Sequence, residues 1–240
     1  MRRAIVLFVA AALLAPARAC SPHAAAAMAR PAAATTAPPN AAGSSAKSDE
    51  AVKKLQARYD GTKDFTADFA QEVEVATLGQ KLKSSGQVFF KRPGKMRWEF
   101  AEPDPQTIVA DGTTLWVHQP QHHQVLKAPF RAAFQSATPL SFLFGVGKLR
   151  EDFNASLLPD SDASRIRMKL VPKQDREIGT IVLDVDPKSY DIAGAEITDP
   201  LGNVTRLVFT NMQRDVGLDD AKFQFVVPPG TDVVEPPASP

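Results

Sequence analysis

Apolar and polar positions change period along the chain, and each change marks an element. Val52, Leu55 and Tyr59 recur at helical spacing behind Ser48 and Asp49, either of which can act as an N-cap, and Gly61 is the stop. The period then drops to two. Phe65, Ala67 and Phe69 alternate with polar residues, and Val73 and Val75 continue the same face, which predicts a strand with one dry and one wet side. Gln87–Phe90 runs into a turn at Pro93 and Gly94. Met96, Trp98 and Phe100 then point one way, while Lys95, Arg97 and Glu99 point the other. Thr107–Ala110 and Leu115–His118 flank Asp111-Gly112 and read as a hairpin. Further strands are predicted at Ile166–Val171, Ile181–Val185, Ile192–Thr198, Val204–Asn211 and Phe223–Val227, with Asp199–Asn203 as a hairpin connection. Short strands of this kind, alternating polar and apolar, imply a large, strongly twisted antiparallel sheet.

One stretch departs from this pattern. Phe130, Ala133 and Phe134 sit at helical spacing. Thr138 and Pro139 make a cap with a first-turn proline, Leu140, Leu143 and Phe144 share a face, and Gly145 and Gly147 end it. Two short apolar helices inserted in a sheet protein can cover the open mouth of a curved sheet or complete its core. Periodicity alone does not separate a lined cavity from a filled one.

The N-terminus changes the picture of where the protein works. Met1, Arg2 and Arg3 precede an apolar run, Ala4–Leu14, of secretory-signal length, and Ala17-Arg18-Ala19 forms a cleavage site before Cys20. Residues 1–19 read as a signal peptide. Their removal takes away Arg2, Arg3 and Arg18, so the net charge goes from +1 to −2 (+1 less three). Cys20, the only cysteine, excludes an intramolecular disulfide and is a candidate lipid-attachment site, although the three residues before it match a lipobox poorly. Residues 20–48, rich in Ala, Pro and Ser, read as a disordered linker, and residues 49–240 as one folded domain. The basic residues are interleaved with acids, which argues against nucleic acid as a partner.

The search for reaction chemistry returns little. G-x-S-x-G, P-loop, G-x-G-x-x-G and H-E-x-x-H patterns are all missing. His118 and His122 fall around Pro120, on a strand end and turn, and no Cys or acid completes a zinc set with them and His123. Asp184 and Asp186 flank Val185 on a solvated strand face. Neither a metal, a cofactor nor an enzymatic activity is expected.

The block from Gly86, G-Q-V-F-F-K-R-P-G-K-M-R-W-E-F, followed by P-D-P-Q-T-I-V-A-D-G-T-T-L-W-V to Val117, resembles the outer-membrane lipoprotein carrier family, LolA. F-T-A-D-F-A-Q at Phe65–Gln71 and K-F-Q-F-V-V-P-P-G-T-D-V-V at Lys222–Val234 extend the resemblance. It implies an α+β fold: an incomplete antiparallel β-barrel with a lid of short α-helices over a hydrophobic cavity. It implies a periplasmic chaperone that binds the acyl chains of lipoproteins and carries them from the inner to the outer membrane. The donor would be an inner-membrane ABC-type release complex, and the acceptor an outer-membrane receptor or the membrane itself.

The resemblance assigns residues as well. Arg92, in the K-R-P motif, corresponds to the arginine that bonds lid backbone and latches the empty cavity shut. Met96, with Trp98 and Phe100 on its strand, falls on the ligand-facing side, and Phe130, Phe134, Leu140, Leu143 and Phe144 correspond to the lid. A carrier handing cargo over mouth to mouth is expected to be a monomer. Cys20 keeps open a tethered, LolB-like receptor, since a linker of this length spans only about 30 Å and would hold the domain near one membrane. A lipid-sensing regulator with the same half-barrel is the remaining alternative.

Overall fold

The computed structural model describes residues 41–130, 148–174 and 179–235, with side chains from residue 46 onward. The expected signal peptide, Cys20, and the lid residues Phe134, Leu140, Leu143 and Phe144 lie outside the described residues.

A helix, α1 (Ala41–Asp60), leads into twelve strands: β1 (Asp64–Val75), β2 (Gln80–Lys91), β3 (Lys95–Glu102), β4 (Gln106–Asp111), β5 (Thr114–Gln119), β6 (Gln124–Pro129), β7 (Phe153–Leu157), β8 (Ile166–Pro172), β9 (Thr180–Val185), β10 (Ile192–Thr198), β11 (Val204–Arg214) and β12 (Asp232–Val234). A single helical turn, α2 (Leu149–Asp152), precedes β7. Among the described residues all twelve strands belong to one sheet, in the order β12-β6-β5-β4-β3-β2-β1-β11-β10-β9-β8-β7. Two antiparallel meanders, β1–β6 and β7–β11, join where β1 pairs β11. The outermost strands, β7 and β12, do not pair with each other, so the barrel stays open. The expected antiparallel half-barrel is therefore present, with one exception: β12 joins β6 in parallel, Val233 opposite Val125.

The period-two alternation translates directly into burial. Along β3, Met96, Trp98 and Phe100 are buried while Lys95, Arg97 and Glu99 are half-exposed. The cross-strand partners of the buried three continue the inner face: Phe90, Val88 and Gly86 on β2, and Ala110, Ile108 and Gln106 on β4. The Asp111-Gly112 turn is held as expected. Asp111 Oδ1 accepts the N–H groups of Thr113 and Thr114, each at 2.8 Å, and Gly112 adopts φ +97°, a region favouring glycine. Asp199 does the same for the β10–β11 connection, accepting from Leu201 and Asn203.

Helix α1 begins earlier than expected. It starts at Ala41, so residues 41–48, read as linker, are helical, and Ser48 is not its cap. Alanine is the strongest helix former, and Ser48 is buried with its Oγ accepting the N–H of Leu157 in β7. The C-terminus is as expected: Gly61 N–H bonds Ala57 O, and Thr62 Oγ1 donates to Arg58 O at 2.9 Å. Ala51, Val52, Leu55 and Tyr59 pack into the core formed by the inner sheet face.

Phe223–Val227, expected as a strand, is none. A 3-10 turn (Asp220–Phe223) is followed by irregular backbone that crosses the outside of the sheet before β12. Phe225 stacks on Trp116, centroids 5.6 Å apart, and lies 5.7 Å from His118, while Lys222 Nζ sits 3.7 Å over the Phe89 ring. Beneath this strap Phe89, Val109, Val125 and Phe223 are buried, separate from the main core. The sheet thus has two apolar faces on its β2–β6 side, one of them covered by the strap.

Candidate functional site

The candidate site is the inner face of the half-barrel, built from alternate residues of neighbouring strands. Register places Phe65 opposite Phe90, and Phe90 opposite Met96. One step along, Ala67, Val88, Trp98 and Ile108 form a second row; one further, Phe69, Gly86 and Phe100 form a third. Phe65 and Phe90 stack at 4.5 Å. Trp98 meets Phe69 edge-on at 4.9 Å, and Phe69 meets Phe100 edge-on at the same separation. Phe209, on β11, completes the group 6.3 Å from Trp98. Edge and offset contacts of this kind stabilise aromatic clusters beyond their burial alone.

Gly86 is what lets the rings close up. A Cβ there would lie 2.9 Å from Phe69 Cε1 and 1.9 Å from the carbonyl oxygen of Glu99, so no other residue fits without moving the backbone of β3. The expected site residues Met96, Trp98 and Phe100 are therefore brought together, at 4%, 2% and 8% exposure. These inner-face residues belong to one buried core cluster with α1, whose Tyr59 meets Phe65 edge-on at 6.1 Å. Phe65, Phe69, Phe90 and Phe209 belong to the same surface but were not singled out as site residues. Their alternation was visible, and only cross-strand register shows that they converge.

Phe130 stands at the end of β6, buried, with its N–H bonded to Thr113 O and its ring against Gly94. It therefore adjoins the K-R-P-G turn that carries Arg92. The chain around Arg92 is fixed by the bond from its N–H to Lys63 O, at 2.9 Å, and by a cis peptide to Pro93. Its side chain is mostly buried at the rim, beside Tyr59, Lys63, Phe65 and Phe90, and its Nη1 lies 3.5 Å from Asp60 Oδ1 at the end of α1. Asp60 also accepts from Gln56 Nε2 at 3.0 Å, and Gln56 Oε1 accepts the N–H of Leu149 at 2.9 Å. The expected latch contacts between Arg92 and lid backbone fall on the segment outside the described residues.

Further ionic contacts fasten this rim. Asp191 takes Arg58 at 3.1 Å and also pairs with Arg214, tying α1 to β11 and the β9–β10 turn. The Tyr59 hydroxyl accepts the N–H of Ile192 at 3.1 Å. Burial pushes its phenol well above the ordinary tyrosine range, so it stays neutral. Asp64, buried at the start of β1, accepts N–H groups of Val216, Gly217 and Leu218 and anchors the first residues of the strap. Asp184 pairs with Arg167, and Asp186 caps a turn through Lys188 and Ser189, in line with a solvated strand face.

Known proteins resemble this chain in sequence or in fold. An outer-membrane lipoprotein carrier protein of Chromobacterium violaceum is 33% identical over 184 residues, covering 77% of this chain and 87% of that protein. One from Methylobacillus flagellatus is 30% identical over 185 residues, covering 77% and 89%. Among solved structures, an uncharacterised conserved protein from Thermus thermophilus superposes with a TM-score of 0.51 at 13% identity, covering 79% of this chain and 99% of its own, a likeness of fold alone. The family model described as outer membrane lipoprotein carrier protein LolA matches residues 60–226, from the end of α1 through all eleven strands of the two meanders to the strap. With the half-barrel, the K-R-P-G turn and the aromatic inner face all inside that span, the chain belongs to the outer-membrane lipoprotein carrier (LolA) family.

Proposed function

We propose that this protein is a periplasmic chaperone that takes the acyl chains of lipoproteins against the inner face of its half-barrel and carries them from the inner to the outer membrane, with no reaction chemistry of its own. The observation that carries this reading is the continuous aromatic inner face of Phe65, Phe69, Phe90, Met96, Trp98 and Phe100 in a barrel whose edge strands leave it open. Each buried methylene contributes about 0.8 kcal/mol, so a lipoprotein's acyl chains need such a surface to cross water. Opening the packed face creates the cavity, and Arg92 latches the closed state through the lid carrying Phe134, Leu140, Leu143 and Phe144. Charged hydrogen bonds contribute about 1.5–3 kcal/mol each, so closure weakens cargo binding enough for release without a nucleotide. An ABC-type complex in the inner membrane is the donor, and an outer-membrane receptor or the membrane is the acceptor.

Arg92→Leu tests this. The variant loaded with a triacylated lipoprotein is expected to retain it when mixed with acceptor membranes that unload the wild type. Transfer at the wild-type rate would overturn the latch. Intact mass from native fractions assigns Cys20: a soluble, unmodified species fits the shuttle, and a species bearing lipid on Cys20 makes the protein a tethered acceptor.

A further inference from the structure

At the end of the half-barrel opposite Arg92, two hairpin tips lie side by side. Ala76 N–H, in the β1–β2 turn, donates to Asn203 Oδ1 of the β10–β11 turn at 3.0 Å, and a Cβ on Gly202 would lie 3.6 Å from Ala76 Cβ. Each tip presents a leucine to solvent: Leu78 is 67% exposed and Leu201 77%. Neither is on a loose loop. Leu78 N–H and Gly79 N–H both bond Val75 O, and Leu201 N–H is held by Asp199 Oδ1. Behind them Leu82, 38% exposed, begins a row on the inner face through Val73, Thr205 and Ile197, and beyond Ser84 and Gln71 in the next row Leu207 and Ala195 carry the apolar surface on towards the aromatic cluster. On the outer face at the same end, Lys81, Lys83 and Arg206 are matched with Glu72, Glu74 and Glu196.

We propose that the Leu78 and Leu201 tips form a wedge that enters the interface of a lipid bilayer, with the Leu82 row as the path from bilayer to inner face. The proposal rests on the carrier reading, in which cargo acyl chains start and end in a membrane. Three leucines offer only a few hundred Å², against about 800 Å² per partner in a specific protein interface. A bilayer interface accepts protruding leucines without a complementary partner shape. The paired charges leave no basic surplus beside the leucines, so the attraction comes from apolar insertion and is insensitive to salt.

The test is flotation of the cargo-free full chain with vesicles of phosphatidylethanolamine and phosphatidylglycerol, at low and high salt, alongside the double variant Leu78→Ser, Leu201→Ser. The wild type is expected to partition equally at both salt levels, and the variant to lose roughly ten-fold or more of that partition with an unchanged melting curve. Loading of the wild type with a triacylated lipoprotein is measured in parallel: a wild type that loads cargo but does not bind vesicles overturns the wedge alone, and one that takes up no cargo overturns the carrier reading, so the two failures are distinguishable. The wedge is overturned by wild type that stays unbound, by a double variant that binds equally, or by binding abolished by salt. Wild type that self-associates in sedimentation while the variant is monomeric would assign the tips to a second copy instead, and also overturns it.

Discussion

Phe223→Ala removes the side chain on which the outer strap depends. Phe223 is fully buried in the 3-10 turn that packs on β3 and β4 from outside, beneath the same covering as Phe89, Val109 and Val125. Truncating a buried phenylalanine costs about 3–5 kcal/mol, because lost transfer energy and the cavity left behind add together. Against a domain stability of about 5–15 kcal/mol this is a large fraction. Urea unfolding should show the midpoint falling by on the order of 1–2 M with the slope unchanged. Val226→Ala is the control, since Val226 belongs to the same strap but is 84% exposed; its effect should stay within about 0.5 kcal/mol. A Phe223→Ala variant within about 1 kcal/mol of wild type would refute the outer core, because the two faces of the sheet would then not both need cover.

Acid should loosen the same strap. Hydrogen bonds first from Lys91 and then from Lys95 hold the Asp220 carboxyl at about 2, below its ordinary 3.8. Because the folded value lies below the unfolded one, the stabilisation from this group is complete above about pH 4 and is lost as pH falls through 2. The melting-temperature gap between wild type and Asp220→Asn should therefore narrow from pH 5 to pH 2; a gap independent of pH would remove Asp220 from the account. Tyr59→Phe leaves the buried N–H of Ile192 without its acceptor and should cost about 1–3 kcal/mol, with faster amide exchange at Ile192. Unchanged exchange there would show that the hydroxyl is not what holds α1 to β10.

The sequence by itself determined whatever depends on neighbours a few residues away. The alternation of Met96, Trp98 and Phe100 states which side of β3 is dry; Asp111-Gly112 and Asp199–Asn203 carry their own turn chemistry; and Val52, Leu55 and Tyr59 mark the buried stripe of α1. Family membership was legible for the same reason, since the K-R-P-G turn and the R-W-E-F strand are local words. Only the tertiary structure decided what the same patterns face. Phe223 and Phe225 alternate like a strand, yet alternation reports one-sided burial and not the presence of a pairing edge. Here the segment lies across the face of β3–β5, where it buries Phe223 without a ladder. The start of α1 escaped local reading because Ser48 finds its partner, Leu157, 109 residues away. So did the contact of Arg92 with Asp60, and the convergence of Phe65, Phe69 and Phe90 with Trp98. Which strands become neighbours is fixed by packing the whole sheet around one core, and no window along the chain contains that information.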